Sequence, residues 1–287
     1  MLTPDQRTFY DQTGYVHLPA TLPVNLLTMA ESVLRRWQNG IIAQWLEAGL
    51  VKDAGEQVGF SQRLHQLWIR AGKPRDSRSP RRDLVGKQMY QILTHPALLD
   101  IAADLLGTQS ISVHGIFNAR PKLPDQKWTD TPWHQDAQYY RDVENTHIVS
   151  MWFPLERVTE HNSCLQVAAG HQQGVLHEGV DDEETGFRGL APEIRQELEI
   201  CQELTGTSIE MERRDLLCFG QKTPHWALPN RSDTVRWSMD VRYEATAQST
   251  ESSRDKGFVA RHPADPASVE SCASWVARWE DLPSGAY

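Results

Sequence analysis

Two residues in the segment TPWHQDAQYY, His134 and Asp136, have the types and the spacing to hold a metal ion. If the segment is a strand, side chains at i and i+2 point to the same side, so an imidazole and a carboxylate can converge on one cation. A third donor has to come from elsewhere in the chain. The segment TPHWALPN supplies His225, 91 residues after His134 and just past the strand-like run DLLCFG. Two imidazoles and one carboxylate on one face leave three positions of an octahedral ion open, the ligand set of non-haem Fe(II) oxygenases. H-x-D by itself recurs by chance in many chains, and the alternative is a pair of surface or hydrogen-bonded polar residues.

The strand-like run VRWSMDVRY adds a second requirement. Its alternation puts Arg236, Ser238, Asp240 and Arg242 on one face and Trp237, Met239, Val241 and Tyr243 on the other. A buried unpaired guanidinium is costly, so Arg236 on an inward face needs an anion. Its fork suits a carboxylate, and Ser238 can add a hydroxyl hydrogen bond. A dicarboxylate chelating the iron at one end and held by Arg236 and Ser238 at the other accounts for both features. The competing reading turns this polar face to solvent, with the arginine paired to Asp240.

The elements that must position these groups fall into two halves. The first hundred residues are mainly helical in pattern. Thr3-Pro4-Asp5-Gln6 has the form of a helix start, and Gly14 that of its stop. Tyr15 to Leu18 alternates as a short strand, residues 23–50 carry apolar side chains at helical spacing, and LTHPALLDIAADLLG is a further helix. Between these last two, GKPRDSRSPRRD (residues 72–83) is a loop, either solvated surface or, over 75–82, a lid or anion-binding edge at a site entrance. From residue 108 short runs bounded by turn signals recur: SISVHGIFNAR, THIVSMWFPL, CLQVAA, DLLCFG and VRWSMDVRY. Such a series predicts a β-sandwich or jelly roll rather than a parallel sheet. Asp181 to Glu203 is acidic and partly helical, an insertion between strands, and ASVESCASWVARWEDL is a terminal helix or strap that packs Trp275 and Trp279 onto the body.

Composition narrows the function classes. A chain of 287 residues, 39% hydrophobic, buries a sizeable core. A net charge of −9 argues against a nucleic-acid surface. The four cysteines contain no C-x-x-C pair, which disfavours a thiolate zinc site or a disulfide framework. No apolar run approaches a membrane span, and MLTPDQRTFYDQTGY lacks the layout of a signal peptide. The expectation is a cytoplasmic protein, in a reducing setting that suits ferrous iron, with a small-molecule substrate and no nucleic-acid or membrane partner.

With these segments in view, the chain resembles the phytanoyl-CoA dioxygenase family of Fe(II)/2-oxoglutarate oxygenases. FYDQTGYVHLPATLP is similar to that family's opening helix and strand, HPALLDIAADLLG to its helix before the barrel, and WHQDAQYY to its proximal metal segment. MWFPLERVTEHNSCLQVAAGHQQG and DLLCFGQKTPHWALPNRSDTVRWSMDVRY resemble the central stretch and the distal-histidine segment, whose co-substrate arginine, eleven residues on, is here Arg236. The resemblance implies a mainly β fold with α elements: a double-stranded β-helix (jelly-roll, cupin-like) core braced by N-terminal helices. It implies one domain over 1–287, with a helical part at 1–107, the core at 108–245 and a C-terminal strap at 246–287. It implies Fe(II), 2-oxoglutarate as co-substrate and O2, and contacts from Ser150 and Asn118 to the 2-oxoglutarate carboxylates.

The sequence departs from the family at His161-Asn162-Ser163 and at AAGHQQG, both in loops; His161, His171 and His177 are loop or surface residues rather than further ligands. Related halogenases carry a small residue where Asp136 stands, so hydroxylation or another oxidation of an aliphatic carbon is the expected reaction. Gln138, Tyr139, Tyr140 and Trp152 are candidates to line a substrate pocket. A small metabolite is the expected substrate, possible natural-product intermediates included. The alternatives are an acyl-CoA hydroxylase of the phytanoyl-CoA type, a non-catalytic jelly-roll binding protein, and a zinc hydrolase with the same three ligands.

Overall fold

The computed structural model describes residues 1–74, 80–140, 147–170, 174–183 and 185–282. Six helices precede the main run of strands: α1 (Pro4–Thr13), α2 (Val24–Glu47), α3 (Phe60–Arg70), α4 (Pro80–Leu84), α5 (Lys87–Leu93) and α6 (Pro96–Leu106). Thr3 caps α1 in a reciprocal box with Gln6, and Gly14 ends it at φ 81°, a left-handed turn that glycine adopts without strain. Helix α2 buries Leu26, Leu27, Ala30, Val33, Leu34, Ile41, Ile42 and Trp45 along one stripe, as the helical spacing over 23–50 requires.

The strands are β1 (Tyr15–Leu18), β2 (Ile111–Val113), β3 (Asn118–Ala119), β4 (Ile148–Pro154), β5 (Leu165–Ala168), β6 (Gly179–Asp181), β7 (Arg188–Leu190), β8 (Gly206–Ile209), β9 (Leu216–Gly220), β10 (His225–Ala227), β11 (Ser238–Ala245) and β12 (Phe258–Arg261). Among the described residues the remaining helices are α7 (Pro192–Ile200) between β7 and β8, α8 (Glu251–Asp255) between β11 and β12, and α9 (Cys272–Asp281) after β12. The major sheet runs β1-β9-β4-β11-β2-β12, with β3 continuing the β2 edge of β11, and the minor sheet runs β10-β5-β8. All pairings are antiparallel. The two sheets share an inner core in which Trp152, Leu217 and Phe219 meet Leu165, Val167, Ile209 and Ala227. This is the jelly roll.

Alternation then assigns every central strand one face to each layer. Val149, Met151 and Phe153 of β4, Leu216 and Cys218 of β9, and Met239, Val241 and Tyr243 of β11 pack under the helices in one large apolar cluster. Trp237 joins them, stacked on Phe60 with ring centroids 4.8 Å apart. The opposite face carries Ser150, Trp152, Ser238, Asp240 and Arg242, all buried between the sheets. Polar groups on an inward face are the mark of a site, because a core strand otherwise fills that face with apolar side chains.

The tail serves as a strap. Trp275 and Trp279 of α9 are fully buried against Phe117, and both indole N–H groups donate to the Lys256 carbonyl, at 3.1 and 3.0 Å. Trp279→Ala leaves a large void there and is expected to lower stability by about 3–5 kcal/mol, read as the shift in the urea unfolding midpoint. Among the described residues no helix is long and apolar enough to cross a membrane.

Three local expectations change. The insertion at 181–203 holds α7, but the β6–β7 hairpin precedes that helix and begins before the insertion, at Gly179, and β8, β10 and β12 do not stand out in the sequence pattern. The loop expected at 72–83 closes with α4, whose Arg81 reaches the site; residues 75–79 and His171 lie outside the described residues. The proximal metal segment is not a strand. His134 makes an isolated bridge with His225, and Asp136 begins a 3-10 turn running to Tyr139.

Candidate metal and co-substrate site

His134 and His225 face each other across that bridge, exchanging backbone hydrogen bonds of 3.0 and 3.1 Å, with ring centroids 4.2 Å apart. The turn after His134 swings Asp136 back toward both rings, doing what an i, i+2 strand pair would have done. It is pinned by Ala137 N–H donating to the Gln221 carbonyl at 2.9 Å. From the outer side, β7 lies directly on Pro132–Trp133: Leu190 N–H donates to the Trp133 carbonyl at 2.7 Å. A Cβ at Gly189 would stand 2.7 Å from the Pro132 ring, so only glycine allows this approach.

Donor atoms of His134, Asp136 and His225 all lie within 4.8 Å of one another, and all three residues are buried. Each imidazole donates its Nδ1–H to the carbonyl two residues upstream, Pro132 at 2.8 Å and Thr223 at 3.0 Å. That fixes the tautomer and leaves both Nε2 lone pairs for a cation. Burial, and for His134 the neighbouring His225, pulls the imidazoles below their ordinary pKa, His134 to about 3, so both are neutral at physiological pH.

Asp136 is held as a carboxylate. Burial pushes its pKa up, but the Arg242 guanidinium, by charge and hydrogen bond, together with His225 and His134 holds the group well below the usual carboxylate range. Arg242 donates to Asp136 through Nη2 at 2.9 Å and Nε at 3.1 Å, and the Ser150 hydroxyl donates to Oδ2. Oδ1 accepts only one of these bonds and keeps a lone pair toward the histidines, 3.9 Å from His134 Nε2. Two neutral imidazoles and one ionised carboxylate fit a hard-to-borderline divalent ion with open positions, ferrous iron included.

Arg242 is itself fixed by Asp240, which also accepts from Arg120 Nε at 2.9 Å and from Asn118 Nδ2 at 2.7 Å. Asn118 Oδ1 accepts from Arg81 Nε at 3.0 Å. Ser150 and Asn118, expected on the co-substrate carboxylates, are thus placed on the protein's own carboxylates Asp136 and Asp240. Arg242→Gln and Ser150→Ala each remove support from the Asp136 carboxylate. Each is expected to weaken Fe(II) affinity about 10- to 100-fold, measured by anaerobic competition with a chelator.

Arg236 sits just before β11, 2% exposed, with its guanidinium 5.4 Å from the Trp152 ring. Nη1 donates to the Ser238 hydroxyl and Nη2 to the Ser163 hydroxyl at 3.4 Å, while among the described residues Nε has no hydrogen-bond partner. Among the described residues no carboxylate forms a salt bridge with it; Asp240 pairs with Arg120 and Arg242 instead. Burial lowers its pKa to about 10, which still leaves it charged. Lys122 pairs backbone-to-backbone with Arg236 and gives its Nζ to Asp130 at 2.7 Å.

A cavity of about 400 Å³ opens beside the triad, lined by His134, Asp136, Asn118, Tyr139, Tyr140 and the guanidiniums of Arg81, Arg120 and Arg242, among others. Of the four pocket candidates, Tyr139 and Tyr140 are on its wall. Gln138 instead spans Gln135 N–H and the His177 carbonyl, and Trp152 lies under Arg236. Arg242, Asp240, Arg120 and Arg81 were not singled out as site residues by sequence. For Arg242 and Asp240 the signal was present, since they share the inward face of β11 with Arg236.

The chain is similar to known proteins. Residues 10–238 match the family described as phytanoyl-CoA dioxygenase (PhyH). The peroxisomal phytanoyl-CoA dioxygenase of Homo sapiens is 27% identical over 184 residues, 61% of this chain and 49% of that protein. The match thus spans about half the length of these curated dioxygenases. A methylphosphonate hydroxylase of Gimesia maris is 26% identical over 255 residues, 86% of this chain and 82% of that one. Among solved structures, the non-haem monooxygenase ThoJ in its apo form superposes with a TM-score of 0.59 at 20% identity, covering 96% of each chain. The α-ketoglutarate-dependent carbocyclase SnoK of nogalamycin biosynthesis gives 0.55 at 15%, covering 93% of this chain and 89% of that one. The structural likenesses establish the jelly-roll fold, and the match over residues 10–238 establishes kinship: the chain belongs to the phytanoyl-CoA dioxygenase (PhyH) family.

Proposed function

We propose that this protein is an Fe(II)- and 2-oxoglutarate-dependent oxygenase that hydroxylates, or otherwise oxidises, an aliphatic C–H of a small metabolite, releasing succinate and CO2. The observation that carries this reading is the pairing of two incomplete sites in one inter-sheet space. One is a buried His134–Asp136–His225 cluster with converging lone pairs; the other is the buried Arg236 guanidinium, which forms no salt bridge among the described residues and on which the Glu156 charge acts without one. A keto-diacid completes both.

The roles follow from the geometry. His134, Asp136 and His225 hold iron, which with 2-oxoglutarate and O2 supplies the oxidising power for C–H cleavage. Arg236 and Ser238 grip the distal carboxylate of 2-oxoglutarate, and Trp152 floors that guanidinium. Arg242 and Ser150 orient Asp136 and keep it ionised. Tyr139, Tyr140 and the arginine-rich wall shape the space beside the metal and exclude water. Asp136 also fills with a carboxylate the position at which a halogenase would admit chloride, so oxygenation is the outcome.

A small substrate suits the cavity, and the methylphosphonate hydroxylase aligns over most of its length, whereas the phytanoyl-CoA dioxygenases align over about half. A zinc hydrolase or a non-catalytic jelly roll has no use for Arg236 as a dicarboxylate clamp. The reading takes the chain as one oxygenase domain, and the net charge of −9 and the ferrous chemistry suit a cytoplasmic enzyme without nucleic-acid or membrane partners. The test is a metabolite screen read by oxygen uptake and succinate formation. A substrate that raises both, only when Fe(II) and 2-oxoglutarate are supplied, supports the reading; turnover with Zn(II) alone overturns it.

A further inference from the structure

We propose that the organic substrate carries an oxyanion group (a phosphonate, phosphate or carboxylate) that Arg81 and Arg120 receive on the cavity wall beside the metal cluster. This rests on the oxygenase reading above and extends it to the substrate's chemical class.

The charge inventory of the cavity points there. Among the described residues three guanidiniums, Arg81, Arg120 and Arg242, line it, and two carboxylates, Asp136 and Asp240, answer them. Arg242 bonds both carboxylates. Arg120 gives only its Nε to Asp240, and Arg81 meets the neutral Asn118 amide rather than a carboxylate among the described residues. Asp255 and Lys256 on the same wall offset each other. Binding ferrous iron and 2-oxoglutarate adds two positive and two negative charges, so an excess of positive charge persists in the loaded enzyme.

Water dilutes that excess only in part, because Arg81 and Arg120 are half-buried on the wall. Burial, and after it the nearby Arg120 and Arg242, pull the Arg81 pKa down to about 10, so three like charges crowd one partly desolvated wall and Arg81 stays charged. Uncompensated cations in such a place are costly unless a ligand supplies the counter-charge. The co-substrate's distal carboxylate does not, because Arg236 is its separate partner. The two guanidinium forks match the planar or tetrahedral oxygens of a carboxylate or phosphonate. Ile116 and Phe187 provide an apolar wall for a short carbon chain, and the C–H to be oxidised would lie between that wall and the metal cluster.

The probes are methylphosphonate, inorganic phosphate and the neutral diester dimethyl methylphosphonate, added anaerobically to protein loaded with Fe(II) and 2-oxoglutarate. Isothermal titration reads binding, and the visible iron–2-oxoglutarate band reads the loaded site. The anions are expected to bind saturably and the diester not. Arg81→Gln and Arg120→Gln are each expected to raise the anion midpoint about tenfold or more while leaving the 2-oxoglutarate midpoint within about twofold. Equal binding of diester and anion overturns the inference. So do variants that shift the 2-oxoglutarate midpoint instead, or a protein that forms the band yet binds no anion. A protein that binds the anions in an arginine-dependent way but never forms the band refutes the oxygenase reading and leaves the anion site standing.

Discussion

Asp136→Ala abolishes substrate-dependent succinate release, a fall of more than about 100-fold, beyond what losing a supporting residue costs. Alanine removes the only anionic ligand of the cluster, leaving two neutral imidazoles to hold a dication. It also deprives Arg242 of one of its two carboxylate partners. Because Asp240 remains bonded to Arg242, the stability penalty falls at or below the low end of the about 3–5 kcal/mol typical of breaking a buried pair. The variant therefore folds. Asp136→Asn keeps the shape but points an amide NH2 or a weaker carbonyl donor at the metal and at the Arg242 donors, so it fails as well. Succinate formation by either variant at wild-type rate would remove Asp136 from the metal.

Arg236→Ala acts on the other end of the same ligand. The Michaelis constant for 2-oxoglutarate is expected to rise about 10- to 100-fold, the size of a charge-assisted hydrogen-bonded pair, while that for the organic substrate stays within about twofold. A second readout separates this from general damage. With metal present, 2-oxoglutarate raises the thermal midpoint of the wild type because it binds only the folded state, and this increment disappears in the variant. Arg236→Lys keeps the charge but not the fork and falls between the two. An unchanged 2-oxoglutarate requirement would assign Arg236 a packing role on Trp152.

What could be read from the sequence followed periodicity. The alternation in VRWSMDVRY puts Trp237, Met239, Val241 and Tyr243 on one face and the four polar residues on the other, with a solvent-facing polar side left open; the structure turns the first set toward the helices and buries the second. Helix α2 and the tryptophan strap were legible for the same reason: their apolar side chains repeat at helical spacing. The partners of the polar face were not legible. Whether Asp240 answers Arg236, Arg242 or Arg120 depends on strand neighbours, and β11 meets β3 and β4 only in three dimensions. The 3-10 turn at Asp136 escaped because turn and strand can both bring residues two apart to one side. Arg81 lies in the 75–82 stretch, which the sequence leaves between solvated surface and an anion-binding edge, and a five-residue helix is too short to show the period that would decide it.

The central claim is that one ferrous ion and one 2-oxoglutarate bind together between His134, Asp136, His225 and Arg236. Anaerobic addition of Fe(II) and then 2-oxoglutarate to the wild-type protein tests it most directly. The account predicts a weak visible charge-transfer band that saturates at one equivalent of iron, vanishes in Asp136→Ala and needs far more 2-oxoglutarate in Arg236→Ala. A band of undiminished strength and midpoint in both variants, or none in the wild type, would contradict it.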